Sequence, residues 1–240
     1  MSIKLQSVYK NRIMFTHCKP KELPNLQTIS NDKGRYYILP SGNVAASVTT
    51  ITGYAKKSSI AEWRNRVGEE EANRISRVAA GRGTRMHKLC EDYLENDSKY
   101  SMKAMPDALS FFKQIKPFVD KIDNIHYMEN ALYSEKYRIA GRVDCIAEYD
   151  GVLSVIDFKT SMKEKKKSYI DNYFEQTTAY SLMYEELLGL TIDQIVIIMA
   201  VESGNPQVFI ESASNWKDSL INTINNYYEQ ENINIPDRKS

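Results

Sequence analysis

The sequence predicts an α/β protein in which a mixed central β-sheet is flanked by helices, all within a single domain. The chain has 240 residues, of which 42% are hydrophobic, and this is enough for one sizeable core. Helix-periodic segments come first, strand-like segments follow, and both types then alternate towards the end of the chain. An Asp-Gly pair joins two of the strand-like segments, as in a two-residue β-hairpin.

The first half of the chain is predicted to be mainly helical. We expect residues 1–34 to be irregular and residues 35–52 to form a short hairpin that turns at a Ser-Gly pair. Apolar residues recur at helical spacing over 58–80. The Gly-Arg-Gly triplet at 81–83 is expected to end that helix, and Thr84 to cap a second one.

The second half is predicted to alternate strands with helices. The expected elements are a helix at about 106–122, strands at 126–135, 138–149 and 151–160, a helix at 173–189, strands at 194–202 and 206–212, and a helix at 216–229. We therefore expect a helical wall or arch at 55–96, the main core at 125–230 and a mobile tail at 231–240.

Composition excludes several classes of protein. The net charge is only +1, so a nucleic-acid surface would have to be local. The three widely spaced cysteines argue against a disulfide framework, and an iron–sulfur cluster with four cysteine ligands cannot form within one chain. The apolar run at 195–201 is too short to span a bilayer, and the N-terminus lacks the apolar core of a signal peptide. We expect a cytoplasmic protein with no membrane contact.

The hairpin around Asp150-Gly151 places unusual residues together. If Tyr149 and Val152 flank the turn, every opposed pair has residue numbers with the same sum, so Asp144 lies opposite Asp157. Their Cβ atoms would then be about 4.5–5.5 Å apart. Side chains alternate along a strand, so Lys159 lies on the same face as Asp157.

Two opposed carboxylates in an apolar strand need compensation, because they repel each other and lose hydration. A divalent cation held by both would supply it, and carboxylate oxygens suit Mg²⁺ or Mn²⁺. Two alternatives remain open from the residues alone. The strand could face solvent and carry incidental charges, or Lys159 could pair with one aspartate while the other is protonated.

Four motifs in consistent order give this pattern a family resemblance. They are Gly83-Thr84-Arg85-Met86-His87, then Asp144, then Asp157-Phe158-Lys159, and finally Gln176-Thr177-Thr178-Ala179-Tyr180. Together they resemble the PD-(D/E)XK nucleases, and more narrowly the RecB-like exonuclease branch with its GxxxH and QxxxY helices. Within that branch the likeness is to the mitochondrial genome maintenance exonucleases and their phage relatives. It covers roughly residues 35–230, and valine replaces proline before Asp144.

The resemblance implies a restriction-endonuclease-like core with an N-terminal helical arch and a metal-dependent active site. It implies that His87, Asp144, Asp157 and the backbone carbonyl of Phe158 bind one or two Mg²⁺ or Mn²⁺ ions. Lys159 would lie beside the attacking water and stabilise the transition state.

Two glutamates are candidates for supporting roles around the metal. Glu91 follows His87 by four residues on the predicted helix, so it could hold a second ion or orient His87. A solvated surface glutamate is the alternative. Glu129 matches a family glutamate, for which we expect a weak role outside the direct ligands.

The resemblance also suggests DNA contacts. Gln176 and Tyr180 would support the site and touch the DNA backbone, although Tyr180 could instead pack against Tyr184. Ser47 and Thr49 resemble a phosphate-touching stretch, or they simply end a strand.

The predicted arch is basic. Residues 55–88 contain nine Lys or Arg and four Glu, a balance of 9 − 4 = +5, and we expect Arg82 and Arg85 among them to contact DNA. Solvated charges on amphipathic helices are the alternative.

We therefore expect a DNA exonuclease that degrades single-stranded DNA from a free end in replication, recombination or DNA turnover. Protein partners from those processes and a phage source fit this hypothesis. The alternatives are a flap or junction endonuclease of the same fold, and a DNA-binding module that has lost catalysis.

Overall fold

The computed structural model describes residues 14–102 and 104–231, which form a mixed β-sheet flanked by helices. The strands are β1 Gln27–Asn31, β2 Gly34–Ile38, β3 Val44–Ser47, β4 Ile122–Ser134, β5 Ile139–Tyr149, β6 Val152–Lys163, β7 Gln194–Ser203 and β8 Gln207–Ser212. The helices are α1 Val48–Tyr54, α2 Lys57–Val67, α3 Glu69–Leu94, α4 Pro106–Val119, α5 Asp171–Leu188 and α6 Lys217–Gln230. The predicted α/β class is confirmed. Apart from Glu231, the predicted mobile tail lies outside the described residues.

The sheet has an opening beside β5. Its strand order is β1-β2-β3-β5-β6-β7-β8, and β4 pairs with β5 off this path. One side of β5 is covered by antiparallel β4. The other side is shared, because β3 pairs with Ile139 and Ala140 while β6 pairs only from Cys145 onwards. Within the described part of the chain, residues 141–144 therefore have no strand partner on that side.

The β5–β6 hairpin has the predicted register over five residue pairs. Tyr149 lies opposite Val152, and the pairing continues to Cys145 opposite Ile156. Asp150 and Gly151 both have positive φ, at +50° and +80°, as a tight primed turn requires. The ladder ends one residue before the two predicted aspartates would pair.

Both faces of the sheet are buried. One apolar cluster joins it to α1, α5 and α6, and the other joins it to α4 and the C-terminal half of α3. Val143 and Ile146 belong to the same cluster although three positions separate them, so the alternation of β5 breaks between them. Tyr127 and Leu132 show the same break in β4, where Glu129 has a φ of +53°. The two neighbouring strands are thus irregular at the same level.

Two predictions about the first half of the chain were wrong. Residues 27–31 form β1, which pairs with β2, in a segment expected to be irregular. Helix α3 continues through Gly81 and Gly83, and the Thr84 hydroxyl donates to the carbonyl of Ala80 instead of capping a new helix.

The uninterrupted helix brings α3 close to the sheet. A Cβ atom on Gly83 would lie 3.9 Å from Thr160 Oγ1 on β6, which is ordinary van der Waals contact. Helix α3 therefore lies close to β6 at a point just beyond Lys159, and a Cβ atom would also fit there. Among the described helices, none has both the length and the apolarity that crossing a bilayer requires.

Candidate active site

A cleft of about 430 Å³ lies at the opening beside β5. Residues from β2, α1, α3, β5, β6 and α5 line it, and they include His87, Asp144, Lys159, Tyr173 and Gln176. The structure thus brings residues of all four sequence motifs to one place. The irregular strand geometry at Glu129 and Asp144 occurs at the same position in the sheet.

Asp157 is buried under this cleft, with 1% of its surface exposed. Gln176 Nε2 donates a hydrogen bond of 2.9 Å to Asp157 Oδ1. Lys159 Nζ forms an ion pair with Oδ2, although no hydrogen bond of good geometry reaches that oxygen. Burial raises the pKa of Asp157 to about 6, and the charge of Asp144 adds to this effect while Lys159 opposes it.

Asp144 and His87 form a second charged contact. His87 Nδ1 lies 3.4 Å from Asp144 Oδ2, and the Phe158 N–H donates to the same oxygen at 2.8 Å. Burial alone would lower the pKa of His87, but the charge of Asp144 and its hydrogen bond raise it to about 9. Burial alone would raise the pKa of Asp144, and His87, Lys159 and the Phe158 N–H together lower it.

Glu129 joins these two residues. One potential ligand atom each from His87, Glu129 and Asp144 can be chosen so that all lie within 4.8 Å of one another. We call these three residues the ligand cluster. Glu129 is therefore placed among the direct ligand candidates, in contrast to the weaker role expected from sequence. Burial, and then the charge of Asp144, raises the pKa of Glu129.

The register between β4 and β5 explains this position. Met128 pairs with Cys145 and Asn130 with Val143, so Glu129 lies beside Asp144. No two-residue turn motif joins these strands, so their register could not be counted from the sequence. The resemblance named Glu129, and the signal that could have placed it among the ligands was a charged residue in an otherwise half-apolar strand segment next to the hairpin.

Lys159 lies between the buried aspartate and an aromatic ring. Its ammonium is 5.1 Å from the centroid of Tyr173, and its side chain is only 17% exposed. Burial would lower the pKa of Lys159, but Asp157 and Asp144 raise it, so the group stays protonated. Tyr173 lies outside the four sequence motifs, and the centroid of its ring is also 5.9 Å from the ammonium of Lys56.

The donor set fits a hard divalent cation. Two carboxylates and one imidazole converge in the ligand cluster, and Mn²⁺ accepts both donor types while Mg²⁺ prefers oxygen. Within the described residues, Asp157 does not belong to the ligand cluster. Its carboxylate instead contacts Gln176 and Lys159. Its Oδ2 atom lacks a directed hydrogen bond and remains a candidate ligand. Ligation by the carbonyl of Phe158 stays a prediction.

The residues predicted to contact DNA differ in accessibility. Ser47, Thr49, Gln176 and Tyr180 all line the cleft, but Thr49 is the exposed one among them. Ser47 Oγ accepts the Thr50 N–H at 3.0 Å and caps α1.

Tyr180 is buried against the strand. It is 2% exposed, and a Cβ atom on Gly141 would come within 2.9 Å of its hydroxyl oxygen. Glycine is therefore required where Tyr180 packs against β5. This contact favours a packing role for Tyr180.

Arg82, Arg85 and Glu91 do not line the cleft. Arg82 is buried and pairs with Glu202 at 2.6 Å, and Arg85 pairs with Asp107 at 2.5 Å. The carboxylate of Glu91 accepts from Lys88 at 3.1 Å. Their predicted roles in DNA or metal binding stay predictions.

Comparison with known proteins gives a consistent result. A model of the PD-(D/E)XK nuclease superfamily matches residues 55–198, which include His87, Asp144, Asp157 and Lys159. The chain is 25% identical over 180 residues to human mitochondrial genome maintenance exonuclease 1, covering 68% of this chain and 51% of that protein. The mouse protein of the same name is 26% identical over 153 residues, covering 60% of this chain and 45% of that protein. The chain thus spans about half the length of these curated relatives.

Proposed function

Because the chain belongs to the PD-(D/E)XK nuclease superfamily, we propose that it is a metal-dependent DNA exonuclease acting on single-stranded DNA from a free end. The ligand cluster carries this proposal, since it gathers a cation site at an opening in the sheet with the ammonium of Lys159 close by. The names of the curated relatives support exonuclease activity. Replication, recombination or DNA turnover is the setting that we propose, with protein partners from those processes.

His87, Glu129 and Asp144 would hold one Mg²⁺ or Mn²⁺ ion, and Asp157 could add a ligand. When bound, such an ion activates water for attack and neutralises charge on a phosphate. A second ion would need ligands beyond those of the ligand cluster.

The protein's own groups would position and stabilise the reacting phosphate. Gln176 holds Asp157 through one carboxylate oxygen, and Lys159 contacts the other. The Phe158 N–H fixes the carboxylate of Asp144. Lys159 would place a positive charge where negative charge develops on the phosphoryl group, in a buried site where such charges interact strongly.

The test is digestion of end-labelled single-stranded, double-stranded and circular single-stranded DNA with Mg²⁺, with Mn²⁺ and with EDTA. We expect degradation of the linear single strand with metal, no degradation in EDTA and an intact circle. Cleavage of the circle would favour a flap or junction endonuclease. An absence of cleavage with either metal would favour a silent DNA-binding module.

Asp157→Asn provides the variant for this test, and Asp150→Asn is its matched control. Both changes remove a carboxylate from the same hairpin, but Asp150 is exposed at the turn and pairs with Lys121. Asparagine also tolerates the positive φ at position 150. We expect loss of cleavage in the first variant and ordinary cleavage in the second.

A further inference from the structure

Two arginines that no sequence motif includes lie at the cleft. Arg35 belongs to β2 and Arg142 to β5, and both are exposed. Both line the same cleft as Asp144 and Lys159. The cleft therefore presents positive charge from two strands beside the ligand cluster.

Neither arginine has a carboxylate partner among the residues described. The side chain of Arg35 makes no ion pair or hydrogen bond within 14–102 and 104–231. Arg142 donates from Nη1 to the backbone carbonyl of Glu129, which keeps its guanidinium next to the ligand cluster. A carbonyl does not neutralise the guanidinium, which has further N–H groups to donate and forms no ion pair, although its charge acts to lower the pKa of the nearby Glu129.

Most arginines of α2 and α3, in contrast, form ion pairs with carboxylates. Four of them have carboxylate partners, in the pairs Arg64–Glu69, Arg74–Glu71, Arg82–Glu202 and Arg85–Asp107. Arg66 and Arg77 are the two in these helices without an ion pair in the described residues. Among the described residues that line the cleft, Arg35 and Arg142 are thus the arginines without an ion pair.

Arg35 and Arg142 lie on separate strands, so each guanidinium can contact its own phosphate. Strand β3 lies between β2 and β5 in the sheet, although Cα atoms of β2 and β5 still come within 8 Å of one another. Each guanidinium offers a planar fork of N–H donors that matches a phosphate group. Contacts of this kind carry no base information, so they would be independent of sequence.

We propose that Arg35 and Arg142 bind two backbone phosphates of the DNA strand, next to the phosphate that lies at the ligand cluster. This inference rests on the proposed function, since it identifies how that site would hold its substrate. The two arginines would orient the strand across the opening between β3 and β6. They would act mainly on substrate binding, and the reacting groups would remain those of the ligand cluster and Lys159.

The experiment measures binding of fluorescent oligothymidylate by anisotropy in EDTA and in Ca²⁺, from 50 to 300 mM salt. Each of Arg35→Ala and Arg142→Ala should weaken binding about three- to twentyfold. Each should also reduce the slope of log K against log salt by about 0.7, the value for one phosphate contact on a single strand. In digestion assays KM should rise while kcat changes little.

Controls separate phosphate contact from structural damage. Arg74→Ala removes an exposed arginine that pairs with Glu71, and it should leave affinity and slope unchanged. Arg35→Lys and Arg142→Lys keep the charge, so they should restore the slope and part of the affinity. Unchanged slopes in both alanine variants, with unchanged Tm, would overturn the inference.

A neutral phosphate analogue provides a second arm. Replacing single phosphates by methylphosphonate should weaken binding to the unaltered protein at particular positions. At one of these positions the replacement should cause no further loss of affinity in the Arg35→Ala variant. At another position it should cause no further loss of affinity in the Arg142→Ala variant. If the losses of affinity from the methylphosphonate and from the arginine substitution are additive at every position, the proposed phosphate contacts are wrong. If the protein cleaves no DNA yet shows these slope changes, the nuclease proposal fails while the phosphate contacts stand.

Discussion

Helices α2 and α3 differ from the cleft beside the ligand cluster in which of their cationic side chains pair with carboxylates. On the helices, four of the six arginines pair with carboxylates, as in Arg74 with Glu71, while the exposed Arg66 and Arg77 form no ion pair with the described residues. In the cleft, Lys159 is buried with Asp157, and Arg35 and Arg142 have no carboxylate partner in the described residues. The sum of charges along a segment is therefore a poor guide to where a polyanion binds. Burial and the neighbouring carboxylates determine which cations remain available.

The largest expected effect on cleavage comes from replacing Lys159, the buried cation of the cleft. Lys159→Ala should lower the cleavage rate about 10²–10³-fold or more, because it removes charge stabilisation at a site shielded from water. Binding of DNA should change little. Single-turnover digestion with Mn²⁺ measures the rate, and thermal unfolding checks the fold.

Arg74→Ala is the exposed counterpart. Surface ion pairs contribute about 0–1 kcal/mol, so neither cleavage nor Tm should change measurably. Full activity in Lys159→Ala would show that the proposed mechanism is incorrect. A large loss of cleavage in Arg74→Ala would show that an arginine paired on the helices also contributes to activity, contrary to the comparison above.

The second effect concerns the stability of the metal-free protein. The pKa of His87 is raised from 6.5 to about 9, so the folded state binds a proton more tightly than the unfolded state. The resulting stabilisation is fully present below pH 6.5 and is lost as pH rises through about 9. Its upper limit is about 3 kcal/mol.

Urea unfolding in EDTA between pH 6 and 9.5 tests this expectation. The free energy of unfolding should fall over the interval in the unaltered protein and fall less in His87→Asn. Excess Mn²⁺ should reverse the trend, since a metal competes with the proton for His87. An equal decrease in both proteins would locate the titrating group elsewhere.

A third prediction distinguishes the two candidate glutamates near the histidine. Glu129→Gln should weaken Mn²⁺ binding roughly ten- to hundredfold, because Glu129 belongs to the ligand cluster. Glu91→Gln is the matched control and should leave the affinity within about threefold, since Glu91 pairs with Lys88 outside the cleft. Calorimetric titration with Mn²⁺ measures both. The reverse order of effects would restore the roles expected from sequence.

The β5–β6 hairpin shows how much of this site a sequence can predict. The turn at Asp150-Gly151 determines the register of the hairpin, and therefore the level at which Asp144 and Asp157 lie. The motif containing His87 was also correctly placed on a helix that reaches the cleft. Each of these depends on local geometry or on a short motif.

The position of Glu129 could not be obtained in this way. It depends on the pairing of β4 with β5 and on a positive φ, and both are set by packing on the two faces of the sheet. Arg35 likewise reaches the cleft only because β3 and β6 separate along β5. Helix α3 continues through Gly81 and Gly83 because tertiary contacts override their low helix propensity.

The smallest effect that we predict tests the ring beside the buried cation. Tyr173 lies 5.1 Å from the ammonium of Lys159, and a cation–π contact of this kind contributes about 0.5–2 kcal/mol. Tyr173→Leu should therefore lower kcat about three- to tenfold, with little change in DNA affinity. Tyr173→Phe keeps the ring and should retain nearly all of the activity. If Phe and Leu are equally impaired, the hydroxyl is the functional group, and the buried cation depends on Asp157 alone for its position.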